Sequence, residues 1–118
     1  MFPLHHHNFK IHKEDFGKDF QWGVTISAYQ NEGATEADGK GKNVWDVFSE
    51  KKGNIKTGEN AHMACDFYHQ YPNDVALAKD LHFDAFGFSV AWSRVMPDGV
   101  GRINQAGLDY YSRVIDQI

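Results

Sequence analysis

Two side chains with the chemistry to bind or transform a small polar molecule, Gln30 and Glu32, stand two residues apart after a run of alternating apolar residues. An amide offers both a donor and an acceptor, so Gln30 could bind a pair of hydroxyl groups in a fixed orientation without adding charge. The Glu32 carboxylate beside it could supply an acid. On residue type alone, both side chains could equally well hold their own loop in place.

The histidine and cysteine residues give weaker evidence of a functional site. The tract of three histidines at 5–7 could bind a metal, but a metal site needs further ligands at fixed geometry, and His12 alone does not supply them. We therefore expect a flexible end or a tag remnant and no metal site. Cys65 is the only cysteine, which excludes an internal disulfide and favours a small buried hydrophobic residue. The Gly-x-x-x-x-Gly-Lys-Ser/Thr pattern of nucleotide sites does not occur, so no cofactor is predicted.

Composition narrows the class of partner. The 118 residues are 42% hydrophobic and carry a formal net charge of -4, which is typical of a globular chain with one small core. Nucleic acids and anionic membranes attract basic surfaces, so neither is expected as a partner, and a small neutral ligand fits better. No signal peptide or membrane-spanning run is visible, which makes the cytoplasm the default prediction.

The elements that would position these side chains alternate between strand and helix. After a polar lead-in over 1–19, period-two alternation predicts a strand over 20–27 and a loop over 28–34. Helical spacing predicts a helix over 61–82, kinked or broken near Pro72. An apolar run over 83–92 predicts a second strand that is buried on both faces.

Two further helices are predicted from their N-caps. Asn43 caps a short helical turn over 44–48, and Asn104 caps a last helix. The apolar stripe of that last helix would comprise Leu108, Tyr111, Val114, Ile115 and Ile118. Strands that alternate with helices indicate an α/β fold with parallel strands. At 118 residues the chain is too short for a complete (β/α)8 barrel, which takes about 250.

Three segments, in this order and spacing, resemble glycoside hydrolase family 1, the β-glucosidase family. The similarity covers nearly everything after about residue 16. The segments read FQWGVTISAYQNEGA at 20–34, DGKGKNVWDVFS at 38–49, and, from 64 to 111, ACDFYH, FSVAWSR and NQAGLDYY.

The resemblance implies a partial TIM (β/α)8 barrel, in which 1–118 form the first two β/α units of an enzyme that cleaves β-glucosides with retention. It implies that Gln30, in the loop after the first strand, hydrogen-bonds sugar hydroxyls. The residues Ala28 and Tyr29 before it look more like the plain glucosidases than the phospho-glucosidases of the family. Glu32 belongs to the N-terminal signature and is given a structural role. The implied partners are a glucose-like sugar and the remainder of the barrel.

Two departures from the family pattern bear on activity. Retaining hydrolysis needs two carboxylates about 5–5.5 Å apart, and the family carries them in Thr-x-Asn-Glu-Pro and Thr-Glu-Asn-Gly motifs that do not occur here. No catalytic residue is therefore assigned, and the chain alone is expected to be inactive. Gly87 stands where the family has an arginine beside the nucleophile. Arg94 is too far along the predicted strand to be assumed its substitute.

Two other functions stay open. One is a non-catalytic sugar-binding or interaction protein derived from the family, and the other is an independent small α/β domain of unrelated function. Two barrel strands would leave a broad apolar face and unpaired edges, which favours association with other chains. Buried packing is expected for Trp22, Trp45 and Trp92 rather than stacking on a sugar.

Overall fold

A computed structural model describes residues 10–118, which form a two-stranded parallel sheet with helices after each strand. The predicted histidine tract at 5–7 lies outside the described residues. Short 3-10 turns occur at Lys13–Phe16 and Ala37–Gly39. The main elements are β1 (Gly23–Ile26), α1 (Ala28–Asn31), α2 (Val44–Glu50), α3 (Phe67–Asp80), β2 (Ala85–Phe88), α4 (Trp92–Val95) and α5 (Gln105–Gln117).

The sheet confirms the predicted parallel β/α architecture. The strands pair in register, with Gly23 opposite Ala85 and Ile26 opposite Phe88. Because parallel strands end at the same edge, the loops that follow β1 and β2 lie side by side. The two strands are those of an open arc and not of a closed barrel.

One face of the sheet packs on helices, and the other is exposed within the described part of the chain. Ile26, Phe86 and Phe88 are half-buried against the core. The opposite face carries only small residues: Gly23, Thr25, Ala85 and Gly87. The prediction that β2 is buried on both faces is therefore wrong here, since residues 10–118 cover only one side. The large exposed apolar side chains lie on helices and loops instead.

Aromatic residues of α3 and α5 form the core over the sheet. The rings of Phe67 and Phe86 stack with centroids 6.2 Å apart, and those of Phe88 and Tyr111 stack at the same distance. The ring centroids of Tyr68 in α3 and Tyr110 in α5 lie 4.4 Å apart, between the two helices. These large rings bury enough apolar surface to fix both helices on the strands.

Helix α3 runs without interruption through Pro72, so the prediction of two short helices is wrong. It also begins at Phe67 rather than at 61. Proline lacks one backbone N–H and costs about 3 kcal/mol inside a helix. Burial of Phe67, Tyr68, Val75 and Ala78 along one face of α3 offsets that cost.

The two predicted N-caps behave differently. Asn43 caps α2 as expected, and its Oδ1 accepts the N–H groups of Trp45 and Asp46. Asn104 occupies the N-cap position of α5, but its side chain makes no capping hydrogen bond. It donates instead to the carbonyl oxygens of Asp38 and Arg94, at 2.7 and 2.9 Å, and so ties the start of α5 to the 3-10 turn at Ala37–Gly39 and to α4.

The buried face of α5 is rotated relative to the predicted stripe. Tyr111 and Val114 are buried as predicted, whereas Leu108, Ile115 and Ile118 are exposed. Gly107 and Tyr110 take the remaining buried positions. Gly107 packs directly against the backbone of α4, so the face of α5 that carries Gly107 and Tyr111 is the one turned toward the core.

Candidate active site

Gln30 lies just beyond the C-terminal end of β1, in the single turn α1. Its side chain is exposed, and its amide group makes no hydrogen bond with any residue among 10–118. The backbone of the turn is fixed at several points. The Ala28 N–H donates to Ser89 Oγ at 2.8 Å, and the Ser27 N–H donates to Asn31 Oδ1 at 3.0 Å. The Gln30 amide, which makes no hydrogen bond within residues 10–118, is thus carried by a turn whose backbone is held in place by hydrogen bonds.

Glu32 is buried two residues further on, in agreement with the structural role expected of it. Its Oε2 accepts a hydrogen bond from Arg94 Nε at 3.1 Å, and both side chains are shielded from solvent. Arg94 also donates from Nη2 to the carbonyl oxygen of Gly33 at 3.2 Å. Its guanidinium carbon lies 4.3 Å from the centre of the Tyr68 ring. The arginine therefore neutralises Glu32 and holds the loop behind Gln30.

The hydroxyl group of Tyr111 completes this arrangement. It donates to Glu32 Oε1 at 2.6 Å and accepts the Ala91 N–H at 2.7 Å. The phenol therefore links the loop after β1 to the loop after β2. Sequence reasoning missed this network. Its only signal was a charged residue, Arg94, in an otherwise apolar segment, which demands a buried partner.

Arg94 does not lie on a strand, contrary to the sequence interpretation. β2 ends at Phe88, and Arg94 belongs to the short helix α4. With its guanidinium buried against Glu32, it cannot stand in for the missing arginine at 87. Gly87 itself faces the exposed side of the sheet, opposite Thr25. A Cβ atom added there would lie 3.3 Å from Thr25 Oγ1.

A cavity of about 380 Å³ opens beside Gln30, lined mainly by apolar groups of Tyr29, Trp45 and Ile55. Trp45 is 56% exposed and Trp92 is 61% exposed, so buried packing is wrong for both. Trp45 is displaced outward because α2 packs through Asp46, whose carboxylate pairs with Lys40 at 2.9 Å. Trp22 is half-buried in an aromatic cluster with Phe16 and Phe20, as a packing role requires.

Cys65 is exposed, and the prediction of a buried hydrophobic residue is wrong. It lies in the irregular segment before α3, where its Sγ is 3.6 Å from Asn31 Nδ2 and 3.9 Å from the Gln30 carbonyl oxygen. The polar neighbours explain why this thiol stays outside the core. No group of three or more potential metal ligands occurs within residues 10–118.

The tyrosines around Arg94 have strongly perturbed acidities. Burial, followed by the hydrogen bond to Asp38, raises the pKa of Tyr68 to about 12. Burial and the nearby Glu32 carboxylate raise the pKa values of Tyr110 and Tyr111 further. All three phenols therefore keep their protons at neutral pH, and Tyr111 remains a donor to Glu32.

The two parallel β/α units match part of the fold of solved β-glucosidases, with a TM-score of 0.81, which identifies them as part of a (β/α)8 barrel. The chain belongs to glycosyl hydrolase family 1, whose family model matches residues 12–118. The resemblance seen in the sequence is thereby confirmed.

Two relatives named as β-glucosidases illustrate the similarity. The chain is 46% identical over 102 residues to β-glucosidase A of Acetivibrio thermocellus, covering 86% of this chain and 23% of that protein. It is 48% identical over 112 residues to β-glucosidase 14 of Arabidopsis thaliana, covering 92% of this chain and 23% of that protein. The chain thus spans less than a quarter of the length of these relatives.

Solved structures agree with the sequence relatives. The family 1 β-glucosidase of Thermotoga maritima matches with a TM-score of 0.81 and 44% identity, over 83% of this chain and 22% of that one. The same enzyme has been solved in complex with glucoimidazole. A rice β-glucosidase matches with a TM-score of 0.80 and 46% identity, over 83% and 20% of the two chains. Among residues 10–118, no helix has both the length and the apolar character needed to cross a membrane.

Proposed function

We propose that this chain forms the first two β/α units of a retaining β-glucosidase barrel. In that barrel it would contribute Gln30 to the subsite that binds the glucose ring. The observation that carries the proposal is the Gln30 amide at the carboxyl edge of the sheet, which makes no hydrogen bond within residues 10–118. Barrel enzymes bind substrate with loops at this edge. A glutamine that merely held its own loop would have its amide engaged, whereas the loop here is held by other groups.

Hydrolysis requires partners for this chain. Neither family motif that carries a catalytic carboxylate occurs in the sequence. Glu32 is committed to Arg94 and Tyr111 and is not available as an acid or base. We infer that the remaining β/α units of a barrel supply both carboxylates, and that the 118 residues alone bind sugar without cleaving it. The implied substrate is an unphosphorylated β-glucoside, which needs no cofactor.

Binding can be measured directly by isothermal titration calorimetry of the chain with glucose and with glucoimidazole. Gln30→Ala should abolish the binding heat, while Gln21→Ala should leave it unchanged. Gln21 is the matched control because it is also exposed but lies before β1, at the opposite end of the strand. Equal binding by the two variants, or none by the unaltered chain, would refute the role of Gln30.

Activity needs a second experiment. Residues 12–118 would replace the matching segment of the Thermotoga maritima β-glucosidase, and the hybrid would be assayed with an aryl β-glucoside. Turnover by the hybrid and none by the chain alone is the expected pair of results. A folded hybrid without turnover would contradict the β-glucosidase proposal.

A non-catalytic sugar-binding protein is the second candidate, and Gly87 is the observation that favours it. The exposed sheet face carries no cation where the family has an arginine. In that case the chain binds glucoimidazole through Gln30, but the hybrid stays inactive even at high enzyme concentration.

A further inference from the structure

We propose that Tyr111 is a positioning residue for Gln30, acting through Glu32 across the two loops at the carboxyl edge of the sheet. The inference rests on the proposed role of Gln30 in sugar binding. It concerns a residue on the last helix, α5, whose side chain does not lie in the loop that carries Gln30.

The first step concerns the two hydrogen bonds of the Tyr111 hydroxyl. It accepts the Ala91 N–H at 2.7 Å and donates to Glu32 Oε1 at 2.6 Å. One phenol oxygen thus joins the segment after β2 to the segment after β1. Hydrogen bonds to a charged group are shorter and stronger than neutral ones, and burial strengthens them further.

The second step concerns the hydrogen bonds by which Glu32 and Arg94 hold the loop after β1. The carboxylate uses one oxygen for Tyr111 and the other for Arg94 Nε. With its orientation fixed in this way, Arg94 donates to the carbonyl oxygen of Gly33 at 3.2 Å. The backbone of Glu32 is held as well, since its carbonyl oxygen accepts the Tyr68 N–H at 3.0 Å.

The third step connects the contacts of Glu32 and Arg94 to the position of Gln30. α1 is a single turn, in which the Asn31 N–H donates to Ser27 and the Glu32 N–H donates to Ala28. A turn of four residues has no intrinsic stability, because forming the first helical turn is unfavourable. The direction of the Gln30 side chain therefore depends on what holds the two ends of the turn, and the Glu32 end is held by Tyr111 and Arg94.

The neighbouring residue provides a matched control. Tyr110 is buried on the same helix beside Tyr111, with ring centroids 4.8 Å apart, but within residues 10–118 its hydroxyl does not bond to Glu32. Tyr111→Phe and Tyr110→Phe therefore remove the same group from the same core, and only the first cuts the connection to the loop.

Hydrogen exchange of the backbone amides tests the positioning itself. In Tyr111→Phe we expect the amides of Asn31 and Glu32 to exchange about tenfold faster relative to those of Val75 and Ala78 in α3, which equals ~1.4 kcal/mol of local opening. In Tyr110→Phe both sets should change together. A uniform change in both variants would mean that Tyr111 only stabilises the core, and would overturn the proposal.

A double-mutant cycle with glucoimidazole tests whether the effect acts through Gln30. Tyr111→Phe should weaken binding about tenfold in the unaltered chain, but should have no further effect once Gln30→Ala is present. Independent, additive losses would overturn the proposal. If the unaltered chain binds no glucoimidazole, the proposed sugar site fails, and the exchange measurement alone decides whether Tyr111 positions the turn.

Discussion

Arg94 and Glu32 form an ion pair that joins α4 to the loop after β1, with 3.1 Å between Nε and Oε2 and no water-accessible surface on the arginine. Sixty-two residues separate them in the sequence. A buried charge without its partner is strongly destabilising, because the desolvation cost remains after the attraction is lost.

Arg94→Met should therefore lower the free energy of unfolding by about 3–5 kcal/mol, measured by urea denaturation. Lys42→Met is the control, since it breaks an exposed ion pair to Glu50 with a 2.7 Å separation. Exposed pairs contribute only about 0–1 kcal/mol. Equal losses in the two variants would show that burial of the Arg94 pair has no energetic consequence.

The tyrosine cluster predicts alkaline unfolding. Tyrosine ionises near pH 10 in an unfolded chain, whereas the pKa of Tyr68 in the fold is about 12. Above pH 10 the unfolded state loses its proton first, so stability is complete below pH 10 and declines toward pH 12. Tyr68→Phe should make that decline shallower in circular-dichroism denaturation curves taken at each pH.

Tyr29→Phe serves as the control for the alkaline experiment. The Tyr29 ring lies outside the core cluster, and its hydroxyl bonds to the Trp45 carbonyl oxygen at 3.2 Å. This variant should show the same decline with pH as the unaltered chain. A decline in Tyr68→Phe as steep as in Tyr29→Phe would contradict the assignment.

Gly107→Ala should destabilise the fold, although alanine inside a helix normally stabilises by about 1 kcal/mol relative to glycine. A Cβ atom at 107 would lie 2.1 Å from the carbonyl oxygen of Arg94, which is backbone and cannot turn aside. We expect a net loss of about 1–3 kcal/mol in urea denaturation. Ser112→Ala, on the exposed side of α5, should be neutral or slightly stabilising, and a similar gain at 107 would show that α4 can move away.

Gly87→Arg tests the departure from the family pattern, in the hybrid barrel described above. The Cβ contact of 3.3 Å with Thr25 Oγ1 requires only a small shift of that side chain, so the variant should fold. A cation beside a carboxylate lowers its pKa by about 1–3 units. The acidic limb of the pH–rate profile should move to lower pH by a similar amount, and Gly87→Ala should leave it in place.

The sequence alone predicted the elements whose signal is local. Alternation in the first strand, the Asn43 cap and the strand–helix–strand order all depend on near neighbours in the chain, and each is found in the structure. The motif around Gln30 identified the family, because that similarity is a property of residue order.

Tertiary structure decided which of these residues are engaged and which are free. The family resemblance gave Glu32 a structural role, but only the tertiary structure shows that Arg94 and Tyr111 are its partners, while the Gln30 amide makes no hydrogen bond within residues 10–118. Cys65, Trp45 and Trp92 were placed in the core on hydrophobicity, but the core was filled by α3 and α5. Such outcomes depend on contacts between residues far apart in the chain, and local periodicity carries no information about those contacts.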